Sequence, residues 1–160
     1  MWKIWILIGL LELLPGAPVD ARGADPARVD SFLAAVSDTA RDLKERIRLA
    51  QKAVGHDRTG KAMHILARLH LEREGLAWRT EAERWIEKAV QREPDNADYR
   101  ATYAEVLWKR RMRPGAYEQA RQAVELDPNH MRGLYWAGRY AVWSWEMAHY
   151  TEEDVPDGVL

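Results

Sequence analysis

At 160 residues the chain can build a continuous hydrophobic core, and its 24 Lys and Arg nearly cancel 25 Asp and Glu. No global field therefore favours nucleic acid or an anionic membrane. Cysteine is absent, which excludes disulfides, thiolate metal sites, a cysteine nucleophile and a lipidated cysteine.

The first residues, MWKIWILIGLLELLPGAPVDARG, carry Lys3, an apolar run from Ile4 to Leu11, and the helix breakers Pro15, Gly16 and Pro18. This is the layout of a secretory signal peptide over 1–21, with cleavage expected after Ala21 and export to the periplasm or medium. The run is shorter than the ~20 apolar residues that span a bilayer. Glu12 at its edge leaves an uncleaved, membrane-tethering segment as the alternative.

Residues 22–60 form an N-terminal helix and linker. Asp25 and Pro26 read as an N-cap followed by proline at the first helical position. Val29, Leu33, Val36, Ala40, Leu43, Ile47, Ala50 and Val54 then recur at spacings of four and three, one apolar stripe on a long helix. The Ser-Asp-Thr at 37–39 is the place where it would divide. The stretch 55–61 ends that helix, and a second is predicted over 61–76. Thr80 and Glu83 read as a capping box opening a third through Arg92. Pro94, Asp95 and Asn96 stop and recap the chain. A fourth helix is expected over 97–112, a turn at 113–115, and a fifth over 116–126. Pro128 and Asn129 repeat the stop and the cap, and a sixth helix runs from Met131 to about Tyr150. The last ten residues, 151–160, read as a flexible tail.

Pro94 and Pro128 stand 34 residues apart, and EKAVQREPDN at 87–96 is echoed by RQAVELDPNH at 121–130. Helix pairs closed by proline at this period resemble the tetratricopeptide repeat. The residues that carry the resemblance are Leu66, Leu69, Ala82, Ile86 and Ala89 in one copy. In the next they are Tyr103, Ala104, Leu107, Ala116, Ala120 and Ala123, followed by Leu134, Ala137 and Gly138. His70, Arg73 and Arg100 depart from the family's pattern. The resemblance covers 61–150 and implies an all-α, α-α superhelix of about two and a half repeats preceded by a long N-terminal helix. Small residues at Ala82, Ala89, Ala123 and Gly138 are expected to let helix axes approach closely, and stacked pairs bury what one pair cannot.

Catalytic constellations are scarce. His64 and His70 fall on different helix faces. Glu146-x-x-His149 lacks the second such motif a di-iron site needs, and phosphate-loop and hydrolase signatures are absent. The basic run KRRMR at 109–113 reads either as a contact for an acidic partner or as a solvated helix end. These features predict a non-enzymatic chain that takes no cofactor, metal or nucleic acid.

The last helix is aromatic on two sides. Leu134, Ala137, Gly138, Ala141, Trp145 and Ala148 share one face, read as the packing face. Arg132, Tyr135, Trp136, Arg139, Trp143 and Tyr150 share the other. In the family that second face lines a concave groove for peptides or proteins, where earlier helices add His64, Arg68, Asp98, Thr102, Glu105 and Trp108. The family's carboxylate clamp, with its Lys and Asn signature, is not evident at these positions. The resemblance thus implies a protein or peptide ligand held by Arg68, Trp108, Arg132, Tyr135, Trp136, Arg139 and Trp143, Arg and Trp being residues that interfaces favour. A second reading makes these aromatics an unfinished core, awaiting a helix from a longer protein or from a second copy. In a third, the chain is the scaffold part of a longer exported enzyme or of a secretion or assembly component.

Overall fold

The structure, a computed structural model, describes residues 25–73 and 78–149; the proposed signal segment and tail lie outside them. Seven helices occupy the described residues in chain order: α1 (Pro26–Val36), α2 (Leu43–Val54), α3 (Lys61–Leu71), α4 (Trp78–Arg92), α5 (Ala97–Lys109), α6 (Arg113–Leu126) and α7 (Met131–His149). Each packs on the next, and the short connections between them turn the chain back on itself, so neighbours run antiparallel. The core is a chain of clusters. Val36, Leu49 and Leu66 join α1 to α3; Met63, Ile86 and Tyr99 join α3 to α5; Leu107, Ala120 and Trp136 join α5 to α7. Each cluster is shared only by nearby helices, the packing logic of a stack.

The N-terminal stripe is two helices. Ser37 ends α1, and Asp42 caps α2 by accepting from the Lys44 N–H at 3.2 Å. Short polar side chains here offer the backbone local alternatives to helix. The stripe survives the break because both helices turn it towards the same cluster, with Val36, Leu49 and Ala50 against Leu66 and Leu69. The α1/α2 pair adds a helix hairpin ahead of residue 61.

Several boundaries move, for identifiable reasons. The long second helix ends at Leu71. Thr80 is no cap: α4 already includes Trp78, whose indole is buried beside Met63, Ala67 and Ala82. Burying that ring outweighs a local capping preference. The turn expected at 113–115 lies at 110–112, with Arg111 left-handed (φ 64°). Pro114 then sits in the first turn of α6, where its missing N–H costs nothing. Asn96 caps α5 as expected, accepting from Tyr99 N–H at 3.3 Å. At α7 the cap is His130, not Asn129: its Nδ1 accepts from Gly133 N–H at 3.1 Å. That acceptor role leaves the proton on Nε2, which donates to Asp98 at 3.2 Å.

Close approaches are made by Ala82, Ala89 and Ala123, all fully buried. Gly138 is not among them, since a Cβ there would meet nothing within 4 Å. Gly133 takes that role, with Ala123 and Val124 side-chain atoms 3.1 and 3.2 Å from where its Cβ would stand.

Candidate partner-binding face

Helices α3, α5 and α7 lie side by side and share one face. Thr102, fully buried on α5, pins them together. Arg132 Nη1 of α7 donates to its hydroxyl at 3.0 Å, and His64 Nε2 of α3 lies 2.9 Å away. The Thr102 proton is then free to point at His64, as a neutral imidazole requires. Desolvation first, then repulsion from Arg68 and Arg132 against attraction from Asp98, lowers the His64 pKa to about 4. At neutral pH His64 is an uncharged strut.

The expected packing face of α7 is reversed. Leu134 and Trp145 are 44% and 63% exposed, whereas Trp136 is 8% exposed. Gly133, Trp136, Ala137, Tyr140 and Trp143 turn towards α5 and α6. Tyr140 stacks on Tyr117 of α6 at 4.5 Å, and Trp136 lies 5.9 Å from the Trp108 ring of α5. Face Leu134–Trp145 has no helix against it among the described residues.

The seven candidate residues therefore divide. Arg68, Tyr135 and Arg139 are exposed, and Arg132 and Trp143 are half-buried. Trp108 and Trp136 are buried and pack on each other, so Trp136 supports the surface from beneath instead of presenting itself. Its Nε1–H has no acceptor among the described residues.

A cleft of about 660 Å³ opens beside them, lined by Trp108, Arg113, Leu134, Tyr135, Gly138, Arg139, Val142, Trp143 and Glu146. On its wall the Arg113 guanidinium lies 3.9 Å from the Trp108 ring centre, and Arg139 lies 5.3 Å from the same ring. Arg113 also donates to the Trp108 carbonyl. Its pKa is lowered first by desolvation and then by repulsion from Arg111 and Arg139. Among the described residues none of the three, nor Arg68 or Arg132, has a carboxylate within ion-pair distance. Arg113 was missed from sequence as a site residue, although the run KRRMR pointed to it. That run is the α5–α6 turn, and the turn aims Arg113 over Trp108.

His149 stacks on Trp145 at 4.6 Å, and its Nδ1 lies 2.8 Å from the Trp145 carbonyl. No group of three metal-ligating side chains occurs among the described residues.

No family model matches the chain, and no characterised protein matches it by sequence. Solved structures do match. The first tetratricopeptide domain of Spaghetti (RPAP3), bound to the HSP90 peptide SRMEEVD, superposes with a TM-score of 0.69 at 12% identity. The match covers 78% of this chain and 98% of that one. This chain has the tetratricopeptide-repeat fold. The tetratricopeptide domain of Sgt2 from Aspergillus fumigatus gives 0.67 at 14% identity, covering 84% and 92% of the two chains. YrrB, described as having an unusual peptide-binding site, gives 0.60 at 19%, covering 76% and 62%. In tetratricopeptide terms α3, α5 and α7 are the first helices of successive pairs, and the Trp108 cleft lies on the face they share.

Proposed function

We propose that this chain is a non-catalytic protein-interaction module that holds an extended, acidic segment of a partner along the α3/α5/α7 face. The cleft beside Trp108 is the anchor. The observation that carries this reading is the Trp108 ring flanked by the guanidiniums of Arg113 and Arg139, both without a carboxylate among the described residues. Such a pair offers planar, multiply donating cations beside apolar wall, which suits a carboxylate carried on a peptide. Support comes from the fold: the RPAP3 domains were solved with peptides ending in acidic residues, SRMEEVD and SGPTIEEVD. Arg68 and Arg132 extend the positive track towards α3. We further propose that this binding takes place outside the cytoplasm, a reading supported by the signal-like sequence of 1–21; N-terminal sequencing of exported material should then begin at Arg22, and an intact N-terminus would favour the membrane-tethered alternative.

The test is a panel of labelled ten-residue peptides, acidic, neutral and basic, measured by anisotropy. Acidic members should bind, and Arg139→Glu or Arg68→Glu should weaken them about tenfold, the worth of 1.4 kcal/mol. Arg28→Glu and Arg41→Glu, remote on the N-terminal hairpin, should leave binding unchanged. Preference for neutral or basic peptides would overturn the reading.

A further inference from the structure

The Trp108 cleft and the sequence that follows α7 are complementary in charge, and the described end of α7 stands one turn past the cleft. The structure describes α7 as far as His149, one helical turn beyond Glu146 on the cleft rim. The next residues read Tyr-Thr-Glu-Glu-Asp-Val-Pro-Asp, with four carboxylates at 152, 153, 154 and 157 and no cation. The cleft wall carries Arg113 and Arg139, with Arg111 near enough to depress the Arg113 pKa.

Reach decides whether one chain can satisfy both. Arg139 lies ten residues before His149, about 15 Å back along the helix at 1.5 Å per residue. Five extended residues from His149 to Asp154 span about 17 Å, and eight to Asp157 about 26 Å. The acidic stretch can therefore fold back along α7 and lay its carboxylates over Arg139 and Arg113. Glu146, also on the lining, opposes a carboxylate lying directly on it, so the charges match best at the two arginines.

We infer that the acidic segment 152–157 of this chain occupies its own Trp108 cleft, so that an outside ligand must displace it. This rests on the acidic-ligand reading above and adds an intrinsic competitor to it. Each exposed ion pair is weak alone. Tethering supplies the difference, because a short linker holds the segment at an effective concentration of ~1 mM. Against an intrinsic Kd of about 0.1 mM, that concentration weakens an outside peptide roughly tenfold.

The experiment uses the full chain and a fluorescein-labelled peptide of sequence TEEDVPDGVL, followed by anisotropy at low salt. One protein is unaltered. The second carries Glu152→Gln, Glu153→Gln, Asp154→Asn and Asp157→Asn, and the third adds Arg139→Glu to those four. The neutral-tailed chain should bind the peptide about tenfold more tightly than the unaltered one, and Arg139→Glu should remove that gain. Equal affinities for the first two chains, still lost with Arg139→Glu, would overturn self-occupancy and leave the acidic-ligand reading standing. No binding by the neutral-tailed chain would overturn both. Binding indifferent to Arg139→Glu would overturn the cleft as the place of contact. Arg139 is exposed, so its substitution leaves the core intact, and circular dichroism checks this directly.

Discussion

Trp136 and Trp145 are nine residues apart on α7, and their surroundings set very different costs for removing them. Trp136 is packed against Trp108 in the α5–α7 cluster, while Trp145, 63% exposed, stacks on His149 one turn away. Trp136→Ala should cost about 3–5 kcal/mol, the usual range for a buried large aromatic. Trp145→Ala should stay within about 0.5 kcal/mol. Urea titration of the two variants checks the contrast, and a costly Trp145→Ala would mean that the exposed face is covered in solution. His64 gives a pH dependence. Its folded pKa of about 4 lies below the ordinary 6.5, so between those values the unfolded chain binds a proton that the folded chain does not. The contribution is present above pH ~6.5 and is lost as pH falls towards 4. His64→Gln should flatten the dependence of the urea midpoint across that window. His70, likewise lowered mainly by burial, acts in the same sense and remains in the variant.

At the scale of the helix pair, the start of α3 and the end of α4 meet through very little side chain. Gly60 caps α3 with φ 101°, and a Cβ there would stand 3.3 Å from the Ala89 Cα and carbonyl oxygen of α4. Asp57 holds this loop from within, accepting from the N–H groups of Thr59 at 2.8 Å and Ala62 at 2.7 Å. Ala89→Leu must push the pair apart, and a loss of about 1–3 kcal/mol in chemical denaturation is expected. A neutral result would place the contact elsewhere. This hairpin was legible in sequence because Ala82, Ala89 and Pro94 are local signals repeated one period later. The cap at Asn96 was legible for the same reason. The start of α4 was not, because Thr80 and Glu83 form a sound local cap that the burial of Trp78 overrides. Nor was the orientation of α7. With Trp or Tyr at 135, 136, 140, 143 and 145, apolar residues surround the helix, and periodicity no longer marks one face. Only the position of α5 and α6 chooses between them.

For the whole molecule, clusters shared only between neighbouring helices imply stability that varies along the stack. Amide hydrogen exchange should find the slowest protons in α5, which is covered by α4, α6 and α7. In the chain with the neutralised tail, the second half of α7, from Val142 onward, should exchange fastest among the described helices. Uniform protection through His149 would show that something lies over that half. Trp108, Arg132 and Arg139 were legible as a group because the family's helix spacing puts them on one face, whereas the part played by Arg113 needed the α5–α6 turn in three dimensions.

That turn carries one more consequence. Arg111 adopts a left-handed backbone that glycine enters freely and a side-chain-bearing residue enters at a cost of about 1–2 kcal/mol. A glycine there would loosen nothing in the core and would relieve the bend. It would also thin the positive potential felt by Arg113. On the acidic-ligand reading proposed above, a sturdier turn and a stronger grip on anions pull residue 111 in opposite directions.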